Sequence, residues 1–243
     1  MDTTGHATKR AALSAMTSAG AWNWLNFPRL TRLDRAILVG LLVYAAMLLG
    51  LAFRLSPERF AYTFSEQGPF EEISIFLWLG ASAVIVWFVR PFTSRSITFA
   101  LLFAAFAARE ASWHKLYTTD SLLKISYYLK SSAPLTEKII AGAVAAIFIA
   151  MLLYAGYVVA RFVFAEGGLS SRAGYWLVLA GTIFVLSKII DRTPSLTYDF
   201  TGHDLNIDIR RLMKAFEEGF EAVTPALFAL SAWLSGKERS YLS

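Results

Sequence analysis

The stretch Ala36–Leu55, AILVGLLVYAAMLLGLAFRL, decides the fold, because it is apolar throughout except for Arg54 near its end. About 20 apolar residues in succession are what an α-helix needs to cross the ~30 Å hydrocarbon core of a bilayer. The run is rich in Leu and Ala and shows no alternation of apolar and polar residues, which a membrane-spanning β-strand requires. It therefore predicts a transmembrane helix.

Five further runs have the same character and follow at intervals along the chain. They are Phe70–Val89, Ser96–Trp113, Lys138–Phe164, Gly174–Ile190 and Ala215–Leu234. We therefore expect an all-α polytopic membrane protein whose six transmembrane helices form one bundle over residues 36–235. An N-terminal cytoplasmic or interfacial segment, 1–35, precedes the bundle, and a C-terminal tail, 236–243, follows it.

The composition supports a membrane protein. Hydrophobic residues make up 56% of the 243 residues and charged residues only 17%, against about a quarter charged in soluble domains. Cysteine is absent, which excludes disulfides and thiolate metal sites. The net charge of +5 comes from Lys and Arg scattered around the predicted helix ends, where they anchor the topology. This pattern does not predict a nucleic-acid partner.

The acidic residues are distributed unevenly between the two sides of the predicted bundle. Six spans place both termini on one side, and only four of the 18 acidic residues fall there: Asp2, Asp34, Glu166 and Glu238. The others lie in or beside the three longer connections on the opposite side, 54–69, 114–137 and 191–214. One end of the bundle is therefore expected to be acid-rich and the other plain.

Basic residues predict the orientation. The segment before the first span holds more of them than the connection after it, which has only Arg54 and Arg59. By the positive-inside rule this favours cytoplasmic N- and C-termini in a bacterial inner membrane, with the acid-rich end facing the periplasm. The basic residues before the first span are Lys9, Arg10, Arg29, Arg32 and Arg35.

Spacing indicates which ionisable residues of the acid-rich end share a helix face. Glu110 and His114 are four residues apart and so present a carboxylate and an imidazole together. Lys188 precedes Asp191 by three residues, which allows the two to pair. Arg210, Lys214, Glu217 and Glu221 follow a 4-3-4 spacing that forms one stripe, which Glu218 extends.

Several of these groups fall inside apolar runs, where an ionised side chain costs about 2.5–3.5 kcal/mol to insert and commonly marks a function. The leading interpretation is a membrane-embedded, metal-dependent hydrolase acting on a lipid or lipid-linked substrate. The predicted catalytic residues are Glu110, His114, Glu217 and Glu221, and the predicted substrate-binding residues are Glu71, Asp191, Arg192 and Arg210. Nitrogen and oxygen ligands for zinc, manganese or iron would come from His114, His203, Glu110 and Glu218.

Three alternatives remain open from the sequence. The acids and the nearby Lys and Arg side chains could neutralise one another, as purely structural ion pairs do. The chain could also be a non-catalytic accessory or assembly subunit that binds a protein partner or forms a homo-oligomer through its outer connections, one of which, 114–137, alternates Tyr and Lys. A proton-coupled transporter would use the same intramembrane acids, although no inverted repeat is visible.

Two segments, 66–71 (EQGPFE) and 108–113 (AREASW), resemble a broad, functionally uncharacterised group of bacterial multi-pass inner-membrane proteins. Those proteins begin one helix with Glu-x-Gly-x-x-Glu and end the next with an acidic, Trp-containing segment. Many of them have a second acid where this chain has Arg109. The resemblance implies a bacterial inner-membrane setting and no particular mechanism.

Overall fold

The computed structural model describes residues 27–113, 118 and 125–240, and every regular element in these ranges is helical. The three short helices are α2, Pro57–Thr63, α5, Ile125–Lys130, and a single 3-10 turn at Gly168–Ser170. The longer helices are α1, Arg32–Arg54; α3, Pro69–Phe88; α4, Ser94–Glu110; α6, Leu135–Phe164; α7, Arg172–Thr201; and α8, Ile207–Ser240. The expected all-α class is confirmed in this part of the chain.

Local sequence signals explain where several helices begin and end. Thr31 caps α1 in a reciprocal capping box with Asp34, and Thr93 caps α4 in the same way with Ser96. These side chains satisfy backbone N–H groups that a first helical turn leaves unpaired. Helix α7 ends at Gly202, whose φ of 69° is a left-handed conformation that glycine adopts without strain.

Helix α8 is the central helix, packed against α7, α3 and α1. It runs antiparallel to α7, since Lys188 pairs with Glu221 and the Ser231 hydroxyl donates to the Ala173 carbonyl. Helices α3 and α4 form an antiparallel pair, and α6 packs on α4 at the side of the bundle. Because neighbouring helices run in opposite directions, the helix ends that were expected to be rich in acids lie together at one end of the bundle.

The middle of the bundle is filled by aromatic side chains. Trp78 of α3 stacks on Phe106 of α4 with ring centroids 4.7 Å apart, and its ring also lies near Phe103, Phe184 and Phe228. These residues come from four helices: Trp78, Phe103 and Phe106 belong to the largest buried cluster, and Phe184 and Phe228 pack against it, partly buried. The apolar layer separates the acid-rich end from the plain end within the described residues.

Four helices are long and apolar enough to cross a membrane: α1, α3, α6 and α7. Only 11–28% of their apolar windows is buried inside the protein. Large apolar side chains point outward along them, including Leu42 on α1, Phe76 on α3 and Leu153 on α6, each about 70% exposed. Exposing so much apolar surface to water is unfavourable, whereas the hydrocarbon core of a bilayer solvates it.

The expected count of six spans is not supported by this criterion. The run predicted at Ser96–Trp113 forms α4, whose 17 residues are too few. The run predicted at Ala215–Leu234 lies within α8, whose first half is strongly charged and whose apolar part is short. Because α4 is too short and α8 too strongly charged, only four helices among the described residues are long and apolar enough to cross a membrane.

The boundaries of the last two helices also differ from the sequence prediction. The fifth run was expected to end at Ile190, but α7 continues through Pro194 to Thr201, and α8 already begins at Ile207. The expected connection over 191–214 is therefore mostly helical. The hydroxyls of Thr193 and Thr197 donate to the carbonyls four residues earlier, Ile189 and Thr193, at 2.7 and 2.8 Å, the usual local bond of a threonine inside a helix.

Candidate functional site

Charged side chains from three helices converge at one end of the bundle. Glu110 ends α4, Lys188 lies on α7, and α8 contributes Lys214, Glu217, Glu218 and Glu221. We refer to these six residues as the acid–lysine cluster. Because the three helices are far apart in sequence, only the packing of α8 against its neighbours brings these groups together.

The shortest contact of the acid–lysine cluster joins α7 to α8. Lys188 Nζ donates to Glu221 Oε1 at 2.6 Å. Sequence spacing allowed Lys188 to pair with Asp191, and the structure instead pairs Lys188 with a carboxylate 33 positions later. Helix–helix packing overrides the local i,i+3 relation here.

A second lysine holds two carboxylates along α8. Lys214 Nζ lies 3.0 Å from Glu217 Oε1 and 2.7 Å from Glu218 Oε1. These are the i,i+3 and i,i+4 neighbours that the stripe on α8 predicted. One ammonium group thus bridges two acids on the same turn.

Glu110 completes the cluster from α4. It lies close enough to Lys188, Glu221 and Glu218 for its charge to interact with each of them. Its ion-pair contact with a described residue is to Arg109, at 4.0 Å, the limit for such a pair. Glu110 is therefore held less tightly by described cations than the three α8 carboxylates.

The carboxylates are more deeply placed than most of their cation partners. The side chains of Glu110, Glu217, Glu218 and Glu221 are 14–17% exposed, whereas Lys188 is 32% and Lys214 41% exposed. The two lysines contact three of these carboxylates, and Arg109 is 4.0 Å from the fourth, Glu110. Such an arrangement can bind a cationic or hydrogen-bond-donating group and can transfer protons, because acids and bases stand side by side at partial burial.

Other residues predicted for the site lie outside the cluster. His203 is exposed in the turn after α7, about 20 Å beyond Lys188 along that helix. Arg210 pairs with Asp204 at 3.4 Å near the same tip. Arg192 is 77% exposed and contacts Asp191 at 3.6 Å. Of these, Asp191 is near enough to interact electrostatically with Glu217.

Glu71 lies in the first turn of α3 at the acid-rich end, partly buried. Close to this end, Arg211 anchors the start of α8: it donates to the Leu55 carbonyl at 2.6 Å and its guanidinium lies 4.7 Å from the centre of the Phe60 ring. Arg211 therefore fixes the angle at which α8 enters the bundle.

The predicted metal set is not supported by the described residues. They contain no group of three or more His, Asp or Glu side chains placed to hold a metal ion. His114, which was assigned both a catalytic and a metal-binding role, lies outside the described residues. Glu110 and Glu218 lie together in the cluster, but His203 does not join them.

Two polar features of the structure lie outside the residues predicted for the site. Lys188 and Lys214 hold the acid–lysine cluster together, although neither was among those residues. The signal for Lys188 was its position inside the apolar run FVLSKII, where a lysine is costly. Asp34, taken as a plain-end acid, is fully buried and accepts hydrogen bonds from Thr31, Arg172 and Trp176.

This plain-end network differs in kind from the acid–lysine cluster. Arg172 donates two hydrogen bonds to the Asp34 carboxylate, at 2.8 and 2.9 Å, and the Trp176 indole donates a third at 2.9 Å. Thr31 adds its backbone N–H and its hydroxyl, both at 2.7 Å. One carboxylate with this many donors is fully satisfied, so we interpret it as a structural tie between α1 and α7.

Comparison with known proteins produced no match: no family model, no curated protein and no solved structure is similar to this chain. The resemblance of 66–71 and 108–113 to bacterial inner-membrane proteins accordingly stays a prediction.

Proposed function

We propose that this chain is a bacterial inner-membrane enzyme that uses the acid–lysine cluster for proton transfer on the polar headgroup of a lipid or lipid-linked substrate. The observation that carries this proposal is the contact of α7 and α8 through Lys188 and Glu221, with Glu110 of α4 beside it. Three helices converge on one set of acids and bases at the end of an apolar bundle. A substrate anchored in lipid would reach this depth laterally.

The chemistry follows from the residue types. A carboxylate such as Glu110 would take a proton from water, whose oxygen attacks an ester or phosphoester of the headgroup. The bond to the leaving oxygen breaks, and the Lys188 ammonium would donate the proton that this oxygen needs. Each such proton transfer contributes about 100- to 10,000-fold to a rate. Metal analysis of protein purified without chelator tests whether a divalent metal is part of the site.

For the topology we propose six passes with cytoplasmic termini, with α4 and α8 crossing as part of the bundle. Support comes from the course of α8. It contacts Leu48 of α1 at Gly219 and the Phe88 backbone of α3 at Gly236, a separation of about 25 Å along its axis. A helix packed beside three apolar spans over that distance would lie at the same depth in the membrane, which supports a crossing by α8.

The test compares lipid turnover by three forms of the purified protein. Wild type, Glu110→Gln and Asp208→Asn would each be incubated with lipids extracted from bacterial inner membranes, and the lipid classes followed by mass spectrometry. Asp208 is an exposed acid of α8 outside the cluster. We expect wild type to consume one lipid class, Glu110→Gln to be slower by about 100-fold or more, and Asp208→Asn to match wild type.

Two outcomes would contradict the proposal: no lipid class changes with wild type, or Glu110→Gln and Asp208→Asn behave alike. Thermal unfolding of each variant shows whether a loss of turnover reflects a loss of folding.

An accessory role is the second candidate, and the tip of the α7–α8 hairpin favours it. Leu196, Tyr198 and Phe200 are 50%, 54% and 86% exposed there, beside acidic residues. A photo-crosslinking residue at position 200 should then capture a discrete protein in native membranes, while one at the outward-facing position 76 should not. Equal capture at both positions would count against this role.

A transport function receives less support than the enzymatic or the accessory function. The aromatic layer around Trp78 and Phe106 lies between the two ends of the bundle, and among the described residues the acid–lysine cluster lies on one side of it.

A further inference from the structure

Three arginines at the plain end stand in an unfavourable electrostatic position. Arg32 is the first residue of α1 and Arg35 lies in the same turn, with Arg29 just before the helix. All three side chains are exposed. The N-terminus of a helix carries partial positive charge, so cations there destabilise it.

The acid nearest to them in sequence is already engaged. Asp34 is buried and its oxygens are occupied by Arg172, Trp176 and Thr31. Within the described residues, none of the three arginines has a carboxylate within 4.0 Å. Their charge is therefore not compensated by the described part of the protein.

Exposed apolar side chains lie among these arginines. Phe27 is 62% and Leu33 51% exposed, so arginine and apolar residues alternate over 27–35. This combination is typical of segments at the lipid headgroup level, where apolar groups enter the acyl region and cations meet phosphates.

Cations elsewhere at the plain end lie on aromatic rings, which is also typical of a membrane interface. The Arg90 guanidinium is 4.1 Å from the centre of the Phe92 ring, and Lys237 Nζ is 4.0 Å from that of Trp233. These pairs place the plain end at the level where aromatic residues of membrane proteins gather.

We propose that residues 27–35 form a binding surface for anionic phospholipid headgroups, with Arg29, Arg32 and Arg35 contacting the phosphates. The lipid phosphates supply negative charge to the three arginines, because Asp34 in the same turn is engaged by Arg172 and Trp176. This surface is separate from the acid–lysine cluster and does not depend on the function proposed for it.

The experiment measures lipid preference of the full chain. Protein purified in detergent would be exchanged into micelles with equal amounts of phosphatidylglycerol and phosphatidylcholine of matched acyl chains, and bound lipids counted by native mass spectrometry. We expect a preference for phosphatidylglycerol that falls at least about fivefold in the triple variant R29Q/R32Q/R35Q. Salt at about 0.5 M should weaken the wild-type preference.

Two matched variants complete the design. The triple variant R54Q/R59Q/K130Q removes three exposed cations at the acid-rich end and should keep the preference. The charge-preserving variant R29K/R32K/R35K should keep most of it, which tests the surface even if the glutamine variant folds poorly. The proposal is overturned if R29Q/R32Q/R35Q keeps the preference, if R54Q/R59Q/K130Q loses as much, or if the lysine variant loses it.

Discussion

At the scale of single residues, the plain-end carboxylate of Asp34 and the acid–lysine cluster have opposite expected roles. Asp34 is surrounded by donors from α1 and α7, with Arg172 supplying the compensating charge. In the cluster, two lysines contact three carboxylates, and the fourth, Glu110, has Arg109 at 4.0 Å, so carboxylates outnumber these cations by one. A satisfied pair stabilises packing, whereas an excess of one charge at partial burial costs stability and has to be explained by function.

Asp34→Asn should lower the free energy of unfolding by about 3–5 kcal/mol, because Arg172 would keep a partly buried charge without its counter-ion. Denaturant titration of the purified protein measures this. The matched control is Glu166→Gln: Glu166 pairs with Arg161 at 2.9 Å but is 33% exposed, and surface pairs contribute at most about 1 kcal/mol. Equal losses in the two variants would show that Asp34 is an ordinary surface acid.

The Lys188–Glu221 pair lends itself to a double-mutant cycle. Lys188→Met should destabilise the protein, because it leaves Glu221 charged and poorly compensated between α7 and α8. Adding Glu221→Gln should restore most of the lost stability, since two neutral groups need no partner. Additive losses in the double variant would mean that the two side chains do not interact.

The contacts of a residue were predictable from the sequence only where both partners lie on the same helix. The pairing of Lys214 with Glu217 and Glu218 follows from helical spacing. The partners of Lys188 and Asp34 come from other helices, 33 and 138 positions away in the sequence. A local spacing pattern cannot indicate partners so far apart in the sequence, so those contacts could not be predicted.

At the scale of helices, the close approach of α8 to α3 depends on Gly236. A Cβ there would collide with the Phe88 backbone carbonyl of α3, and backbone cannot move aside as a side chain can. Gly236→Ala should therefore lower the unfolding free energy by about 1–3 kcal/mol. Gly181→Ala is the control, because nothing lies within 4 Å of its Cβ; equal effects would refute the close approach of α3 and α8.

The short helix α5 is tied to α6 by a buried phenol. The Tyr127 hydroxyl donates to Glu137 at 2.7 Å, and burial together with this carboxylate raises the pKa of Tyr127 from 10.0 to about 12. A raised tyrosine pKa stabilises the folded state below about pH 10 and loses this effect as the pH rises towards 12.

Tyr127→Phe should therefore be less stable than wild type near pH 9, and the difference should shrink as the pH approaches 12. Thermal unfolding midpoints of both proteins over this range measure it. A difference that stays constant with pH would argue that Tyr127 does not titrate in the folded state as described.

Helix positions were more predictable than helix roles. The runs at Ala36–Leu55, Phe70–Val89 and Lys138–Phe164 correspond closely to α1, α3 and α6, because long apolar stretches permit little else. Pro194, Thr193 and Asp191 indicated a loop where α7 continues. Packing of α7 against α8 outweighed those local preferences.

At the scale of the whole molecule, the absence of cysteine allows the number of spans to be counted by labelling. Single cysteines would replace Phe92, between α3 and α4, and Asp204, between α7 and α8; both positions are exposed. If α4 crosses, three helices separate them and they lie on opposite sides. A membrane-impermeant maleimide added to intact cells should then label only position 204. Labelling of both positions, or of neither, would mean that α4 does not cross.

The charge asymmetry between the two ends was visible in the sequence, because it needs only the order of the spans. The function was not visible in the sequence, because spacing along one helix does not reveal which carboxylates contact which cations. The packing of α8 supplies that arrangement, and it makes Glu110 the carboxylate of the acid–lysine cluster with the longest ion-pair contact among the described residues.

We infer that the acid–lysine cluster serves function and not stability, and the unfolding free energy of Glu110→Gln distinguishes these two roles. Removing this charge relieves burial of a carboxylate near Glu218 and Glu221. We predict that Glu110→Gln is as stable as wild type or more stable, while Asp34→Asn, measured in parallel, is clearly less stable. A loss of stability in Glu110→Gln as large as that in Asp34→Asn would contradict the account.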